Sequence, residues 1–298
     1  MRHVIGIDAG GTKTVGLLAD ETGAVLAKTI GDGANLLVHG ELVVEKSLFQ
    51  VIEALDSSTP IDALCLGIAG VDRPGEAEVI QGVLRRLGIR REVLIVNDAT
   101  VALVAGAPDG IGIVVASGTG SIAYGVDRGG KTARSGGWGY LLGDEGSAFW
   151  LGHAAVRLGI RAADGRGPAT TLYERICSHL EVTVPDGLVA WFYDQELSRH
   201  RVARLAGIVE EAAGDGDETA DRLLDQAARH LVRAANAVDR QLGFDEPYPL
   251  VLAGGVFKAC PSLYERIEKK LDLAQARVVR LQAEPATGAV TLALELLE

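Results

Sequence analysis

Cysteine is nearly absent from this chain. The three residues Cys65, Cys177 and Cys260 stand far apart, with no CxxC pair and no Cys/His spacing. That excludes a disulfide framework or structural zinc site and leaves them as small buried hydrophobes. The histidines, at positions 3, 39, 153, 179, 200 and 230, form no recognisable spacing either and are read as structural. Basic charge is short as well: 29 Lys and Arg stand against 40 Asp and Glu, a net charge of −11. With no basic stripe, nucleic acid is not an expected partner. No apolar run approaches the ~20 residues of a membrane span, so no membrane association is expected. Met1-Arg2-His3 leads straight into a strand pattern with no signal-peptide stretch before it, and the expected location is the cytoplasm.

Aromatics make up only 5% of the chain, but glycine is abundant at 38 residues. Many of the glycines fall in a strand–turn–strand pattern that occurs twice. The first copy is HVIGIDAGGTKTVGLLAD, residues 3–20, and the second is GIGIVVASGTGSIAYGVD, residues 110–127. Each has an apolar run, a bend of Gly with Thr or Ser, and a second apolar run. A bend without Cβ atoms lets backbone N–H groups approach an anion closely. Two copies suggest one phosphate cradle assembled from both halves of a duplicated fold. Because the net charge repels a nucleotide at long range, such a site needs local help from N–H groups, a lysine such as Lys13, and a divalent metal.

The remaining pattern repeats in the same way. Strands are expected near 3–8, 14–19 and 24–29, then a helix over 41–56, strand 62–68, a helix over 76–87, strand 92–96 and a short helix after Asn97-Asp98. The second half carries strands near 111–116, 121–126 and 131–134, strand 250–253, a helix over 261–271, strand 277–281 and a closing helix over 286–297. The turn Asp127-Arg128-Gly129-Gly130 matches Asp20-Glu21-Thr22-Gly23. A helical insertion of about 145–243 separates the parts of the second half; Leu223, Leu224, Ala227, Leu231, Val232, Ala235 and Val238 fall at amphipathic spacing within it. These readings predict two α/β domains of matched topology with a ligand cleft between them. Their spans are 1–109, completed by the C-terminal helix 286–298, and 110–285.

Two familiar phosphate motifs do not fit. Thr12 intrudes before Lys13 where a Walker loop needs Gly-Lys, and both bends lead into strands where Walker and Rossmann loops lead into helices. Asp8 closes an apolar strand just before the glycines; it is a turn cap or a carboxylate that holds Mg²⁺, through water given that ion's hydration. Asp98 follows the end of strand 92–96, where ligand crevices open in such sheets. It is a helix N-cap or the group that orients a hydroxyl and takes its proton in phosphoryl transfer. The stretch Gly136-Gly137-Trp138-Gly139, followed by Gly143-Asp144-Glu145-Gly146-Ser147, is a plain loop before a helix or an apolar plate beside carboxylates, which suits a sugar ring.

Together these residues resemble the sugar-kinase/actin/Hsp70-like ATPase superfamily, and within it the N-acetylglucosamine kinase branch grouped with the BadF/BadG/BcrA/BcrD ATPases. The most specific part is GGWGYLLGDEGSAFW, residues 136–150, beside ASGTGS and NDA. The resemblance implies two ribonuclease-H-like (actin-like ATPase) domains. It implies that Gly10, Gly11, Thr12 and Lys13, with Ser117, Gly118, Thr119 and Gly120, bind the ATP phosphates. The bend Ala253-Gly254-Gly255-Val256 would meet the adenosine, and Pro285-Ala286-Thr287-Gly288-Ala289 would close over the base. Asp98 would be the catalytic base, and Asn35, Gly70, Asp98, Gly137, Trp138 and Asp144 would contact the sugar. A homodimer is common among similar proteins. The cysteine-rich zinc motif of the ROK kinases and the iron–sulfur cysteines of the dehydratase activators are both missing. The expected activity is ATP- and Mg²⁺-dependent phosphorylation of an amino sugar: N-acetylglucosamine first, glucosamine or N-acetylmuramate next. An ATP-driven conformational clamp acting on a partner protein is the alternative of another class.

Overall fold

The computed structural model describes residues 2–55, 60–71, 74–89, 92–183, 186–194 and 198–298. The first half contains β1 (His3–Ala9), β2 (Lys13–Asp20), β3 (Val25–Asp32), α1 (Leu36–His39), α2 (Glu41–Leu55), β4 (Ala63–Ile68), α3 (Pro74–Arg86), β5 (Glu92–Val96) and α4 (Asp98–Gly106). The second half begins with β6 (Gly112–Ser117), β7 (Ser121–Val126) and β8 (Thr132–Gly136). The insertion supplies α5 (Ala148–Ala163), α6 (Leu172–Leu180), α7 (Asp186–Phe192), α8 (Arg199–Ala203), α9 (Ala206–Gly214) and α10 (Glu218–Leu242). The chain closes with β9 (Tyr248–Ala253), α11 (Val256–Ala259), α12 (Ser262–Lys270), β10 (Ala276–Arg280) and α13 (Ala286–Glu295). The expected end of α2 at residue 56 lies outside the described residues, and the short helices α1 and α11 were not anticipated.

Both sheets have five strands in the same order, β3-β2-β1-β4-β5 and β8-β7-β6-β9-β10. In each, the first three strands form an antiparallel meander and the last two add in parallel beside the first. Even the meander turns match: Asp20 and Asp127 each accept from backbone N–H groups two and four residues on, and Gly23 and Gly130 take positive φ. Central strand β4 (ALCLGI) is buried along its whole length, as a strand covered by helices on both faces must be. Helices α2 and α3 cover one face of the first sheet, with Leu48, Val51, Ile80 and Leu84 against Ile5, Ile7, Leu64 and Leu66. The long α10 is capped by Asp217, whose carboxylate accepts from Thr219 and Ala220 N–H, and ends at left-handed Gly243. It buries Leu223, Leu224, Leu231 and Val238 among the second-sheet residues Ile113, Val115 and Leu250.

The two halves exchange their closing helices. Helix α4 follows the first sheet but places Ala99, Ala102 and Leu103 against Val114, Val251 and Ala253 of the second. Helix α13 follows the second sheet and places Ala286, Ala289, Val290 and Ala293 against Val4, Val15, Ala63 and Cys65 of the first. The two cross at Gly288, where a Cβ would lie 2.1 Å from Val101 O. Among the described residues no helix is long and apolar enough to cross a membrane.

Candidate active site

Register puts the candidate chemistry on one edge. Asp8 pairs with Gly67 across β1 and β4, and Gly67 pairs with Val96 across β4 and β5. The carboxyl ends of three parallel neighbours therefore align, with Asp8, the Ala69-Gly70 turn and Asp98 along that edge. Ala69 N–H donates to Ala9 O at 2.9 Å, and Gly70 takes φ 82° to turn the chain away. Asn97 caps α4 by accepting from Ala99 N–H at 2.8 Å, so the cap role falls to Asn97 and leaves Asp98 as the first helical residue.

The carboxyls of Asp8 and Asp98 repel each other. Burial first, and then Asp98, push the Asp8 pKa up to about 8, and Lys13 opposes them. Two neighbouring carboxyls in a poorly solvated setting call for a positive charge. Among the described residues no group of three or more His, Cys, Asp or Glu could hold a metal. A cation here would therefore need ligands beyond the protein, such as phosphate oxygens and water.

Bend 1 spans residues 10–13 between the paired Ala9 and Thr14, and bend 2 spans the shorter 118–120 between Ser117 and Ser121. Gly10 N–H donates to Lys13 O at 3.0 Å and Gly118 N–H to Gly120 O at 2.9 Å, closing each bend on itself. The bends face each other, with Thr12 Oγ1 and Thr119 Oγ1 2.9 Å apart. Gly254, at φ 114°, backs bend 2; any Cβ there would strike Ser117 O at 2.1 Å, so only glycine fits. Gly255 and Val256 continue from it into α11 beside Gly118. Gly288 has a different setting, buried in the crossing of α13 with α4, and its visible role is packing.

The residues expected to meet a sugar divide into two groups. Asn35 caps α1 by accepting from Val38 N–H at 3.1 Å through Oδ1. Gly137 N–H donates to Ser121 O at 3.0 Å and so hangs the next loop on β7. Trp138, on that loop, is 61% exposed, with the Arg134 guanidinium 4.8 Å from its ring centroid on one face. Asp144 is 5% exposed at φ 61°, and its carboxyl accepts from Ser121 and Gly139 N–H. Burial raises its pKa, and those hydrogen bonds with Arg199 work against the rise. A Cβ on Gly120 would lie 2.8 Å from Asp144 Oδ2, so this carboxyl braces bend 2 from beneath.

Two contacts escaped the sequence reading. Glu284, just before α13, pairs with Lys13 at 3.3 Å and Lys28 at 3.0 Å, and these cations hold its carboxyl below the usual range against the opposing effect of burial. His39 Nε2 lies 3.0 Å from Gly11 O. Neither has a local signal, because each meets bend 1 from a distant point in the chain.

A duplicated sheet, exchanged closing helices and two glycine bends that meet face to face define an actin-like ATPase fold. The chain belongs to the BadF/BadG/BcrA/BcrD ATPase family, which it matches over residues 5–293. It is similar to the N-acetylmuramic acid/N-acetylglucosamine kinase of Clostridium acetobutylicum, at 34% identity over 98% of both chains. It is equally similar to the N-acetyl-D-glucosamine kinase of Dictyostelium discoideum, 34% identical over 97% of both. Among solved structures, a proposed N-acetylglucosamine kinase of Chromobacterium violaceum superposes with a TM-score of 0.78 at 29% identity, covering 99% of each chain.

Proposed function

We propose that this protein is an ATP-dependent carbohydrate kinase that phosphorylates a hydroxyl of an amino sugar, N-acetylglucosamine before glucosamine or N-acetylmuramate. The observation that carries the reading is a carboxyl pair, Asp8 and Asp98, beside two bends that meet at 2.9 Å. The second carboxylate suits either a substrate hydroxyl or a hydrolytic water, and the two full-length relatives, both named as sugar kinases, favour the hydroxyl. Bends 1 and 2 bind the phosphates through backbone N–H groups, with Lys13 beside them, and Gly254, Gly255 and Val256 meet the adenosine. Asp8 holds Mg²⁺, which neutralises phosphate charge when bound. Asp98 orients the acceptor hydroxyl and takes its proton. Asn35, Gly70, Gly137 and Trp138 line the sugar side, with Asp144 below. The choice of sugar is supported by the two full-length relatives, both named for N-acetylglucosamine and one also for N-acetylmuramic acid.

A coupled ADP-release assay across glucose, glucosamine, N-acetylglucosamine, N-acetylmannosamine and N-acetylmuramate tests this. The expected result is sugar-dependent ADP release, highest with N-acetylglucosamine. Release at the same rate without any sugar would favour the ATP-driven clamp.

A further inference from the structure

An anion cradle needs N–H groups that point into the cleft, and glycine's freedom leaves the direction of each peptide open. In a trans peptide the carbonyl of one residue and the N–H of the next point in opposite directions. Tying a carbonyl back on one side of a bend therefore presents the following N–H on the other side. Bend 1 has two successive carbonyls tied back by one segment, residues 33–39. Ala34 N–H donates to Gly10 O at 2.9 Å, and His39 Nε2 meets Gly11 O at 3.0 Å. Because a carbonyl only accepts, Nε2 carries the proton in this contact. Gly33 presses on the same peptide; a Cβ there would sit 2.5 Å from Gly11 O.

The N–H groups turned the other way belong to Gly11 and Thr12, and neither has an acceptor among the described residues. That side is the cleft: Thr12 Oγ1 meets Thr119 of the opposite bend, and the space above Gly11 is open. Bend 2 uses the same device with backbone alone, since Ala148 N–H donates to Gly118 O at 2.8 Å. Bend 1 has the matching backbone tie, Ala34 N–H to Gly10 O, and a second one from a side chain, His39 to Gly11 O, which can be removed by mutation.

We propose that His39 is a positioning residue for phosphoryl transfer, fixing the Gly11–Thr12 peptide so that Thr12 N–H faces the phosphates of the bound nucleotide. The inference rests on the nucleotide-binding reading of the bends. A His39 that merely anchored α1 would act elsewhere: that helix is capped by Asn35, on the sugar side, and loosening it would raise the KM for sugar.

The test is steady-state kinetics of His39→Ala and His39→Gln, varying ATP at saturating sugar and sugar at saturating ATP. Loss of one hydrogen bond predicts a fall of about five- to tenfold in kcat/KM for ATP in the Ala variant, with the sugar KM within about twofold of wild type. Gln carries an N–H donor and should recover most of the loss. If the Ala variant does not fold, His39→Leu supplies the same contrast with Gln, filling space without a donor. Unchanged ATP kinetics in the donor-free variant, a matching rise in sugar KM, or a Gln variant no better than Ala would overturn the proposal. Wild-type protein that phosphorylates no sugar would overturn the kinase reading instead. Equilibrium binding of a non-hydrolysable ATP analogue would then still read the effect of His39, with weaker binding to the Ala variant expected and equal binding overturning the proposal.

Discussion

Replacing Gly288 by Ala adds one methyl group where α13 crosses α4. The new Cβ would lie 2.1 Å from Val101 O and 2.6 Å from Ala105 N. Both are backbone atoms, so no side-chain rotation relieves the overlap. Restoring ordinary contact requires the helices to part by about 1.3 Å in a close-packed interior, where overpacking costs about 1–3 kcal/mol. Ala is favoured over Gly inside a helix by about 1 kcal/mol, so the net destabilisation is up to about 2 kcal/mol, or a Tm lower by up to about 4 °C. Gly207 in α9 is the internal control, because a Cβ there meets nothing within 4 Å. Gly207→Ala should leave Tm unchanged or raise it by a few degrees. The same substitution thus has opposite signs at two helical glycines. Catalysis should follow, since α4 begins with Asp98 and α13 follows Glu284: kcat should fall in Gly288→Ala and stay unchanged in Gly207→Ala. Differential scanning calorimetry with parallel kinetics decides the matter, and a Gly288→Ala protein as stable as wild type would refute the crossing argument.

Three further outcomes are expected. Asp98→Asn should bind ATP nearly normally, as judged by equilibrium titration, and lose about 10²–10⁴ in kcat as a general base would; turnover at the wild-type rate would remove Asp98 from that role. Trp138→Ala should raise the sugar KM by up to about tenfold, the scale of an aromatic contact, with the KM for ATP unchanged; kinetics with both substrates varied would expose any other pattern. Burial pushes the Cys65 and Cys260 thiols up to about 12, so a thiol-specific disulfide reagent at pH 8 should label neither in the folded protein and all three cysteines after denaturation. The raised pKa also gives a sign for stability: the folded thiols keep protons that the unfolded chain releases from about pH 9, so stability falls as pH rises from there towards 12.

Much of the fold was legible because it is local. Apolar runs of five to eight residues, the paired Asp–Gly turns and the amphipathic stretch from Leu223 to Val238 each state their own conformation through side-chain period. Duplication was legible for the same reason, as the glycine bends and their flanking strands repeat in order. The positions of Asp8 and Asp98 at strand ends could be read from where the apolar runs stop. Their closeness across β4 could not, since that depends on the parallel register of three strands. Gly288 shows the limit most plainly: nothing in its sequence context records that a Cβ there would lie 2.1 Å from Val101 O, where two helices that have exchanged sheets cross.

The sequence by itself determined the strands and the longer helices of the two repeats, their repeated order and the two glycine bends, because each follows from short-range backbone chemistry and hydrophobic period. Only the tertiary structure decided which sheet each closing helix covers and that Thr12 and Thr119 meet across the cleft. It also decided that Glu284 holds Lys13 and that His39 reaches Gly11. Those contacts join residues up to 271 positions apart, and no local pattern records them, because they arise only when packing the apolar faces of separate elements brings their polar ends together.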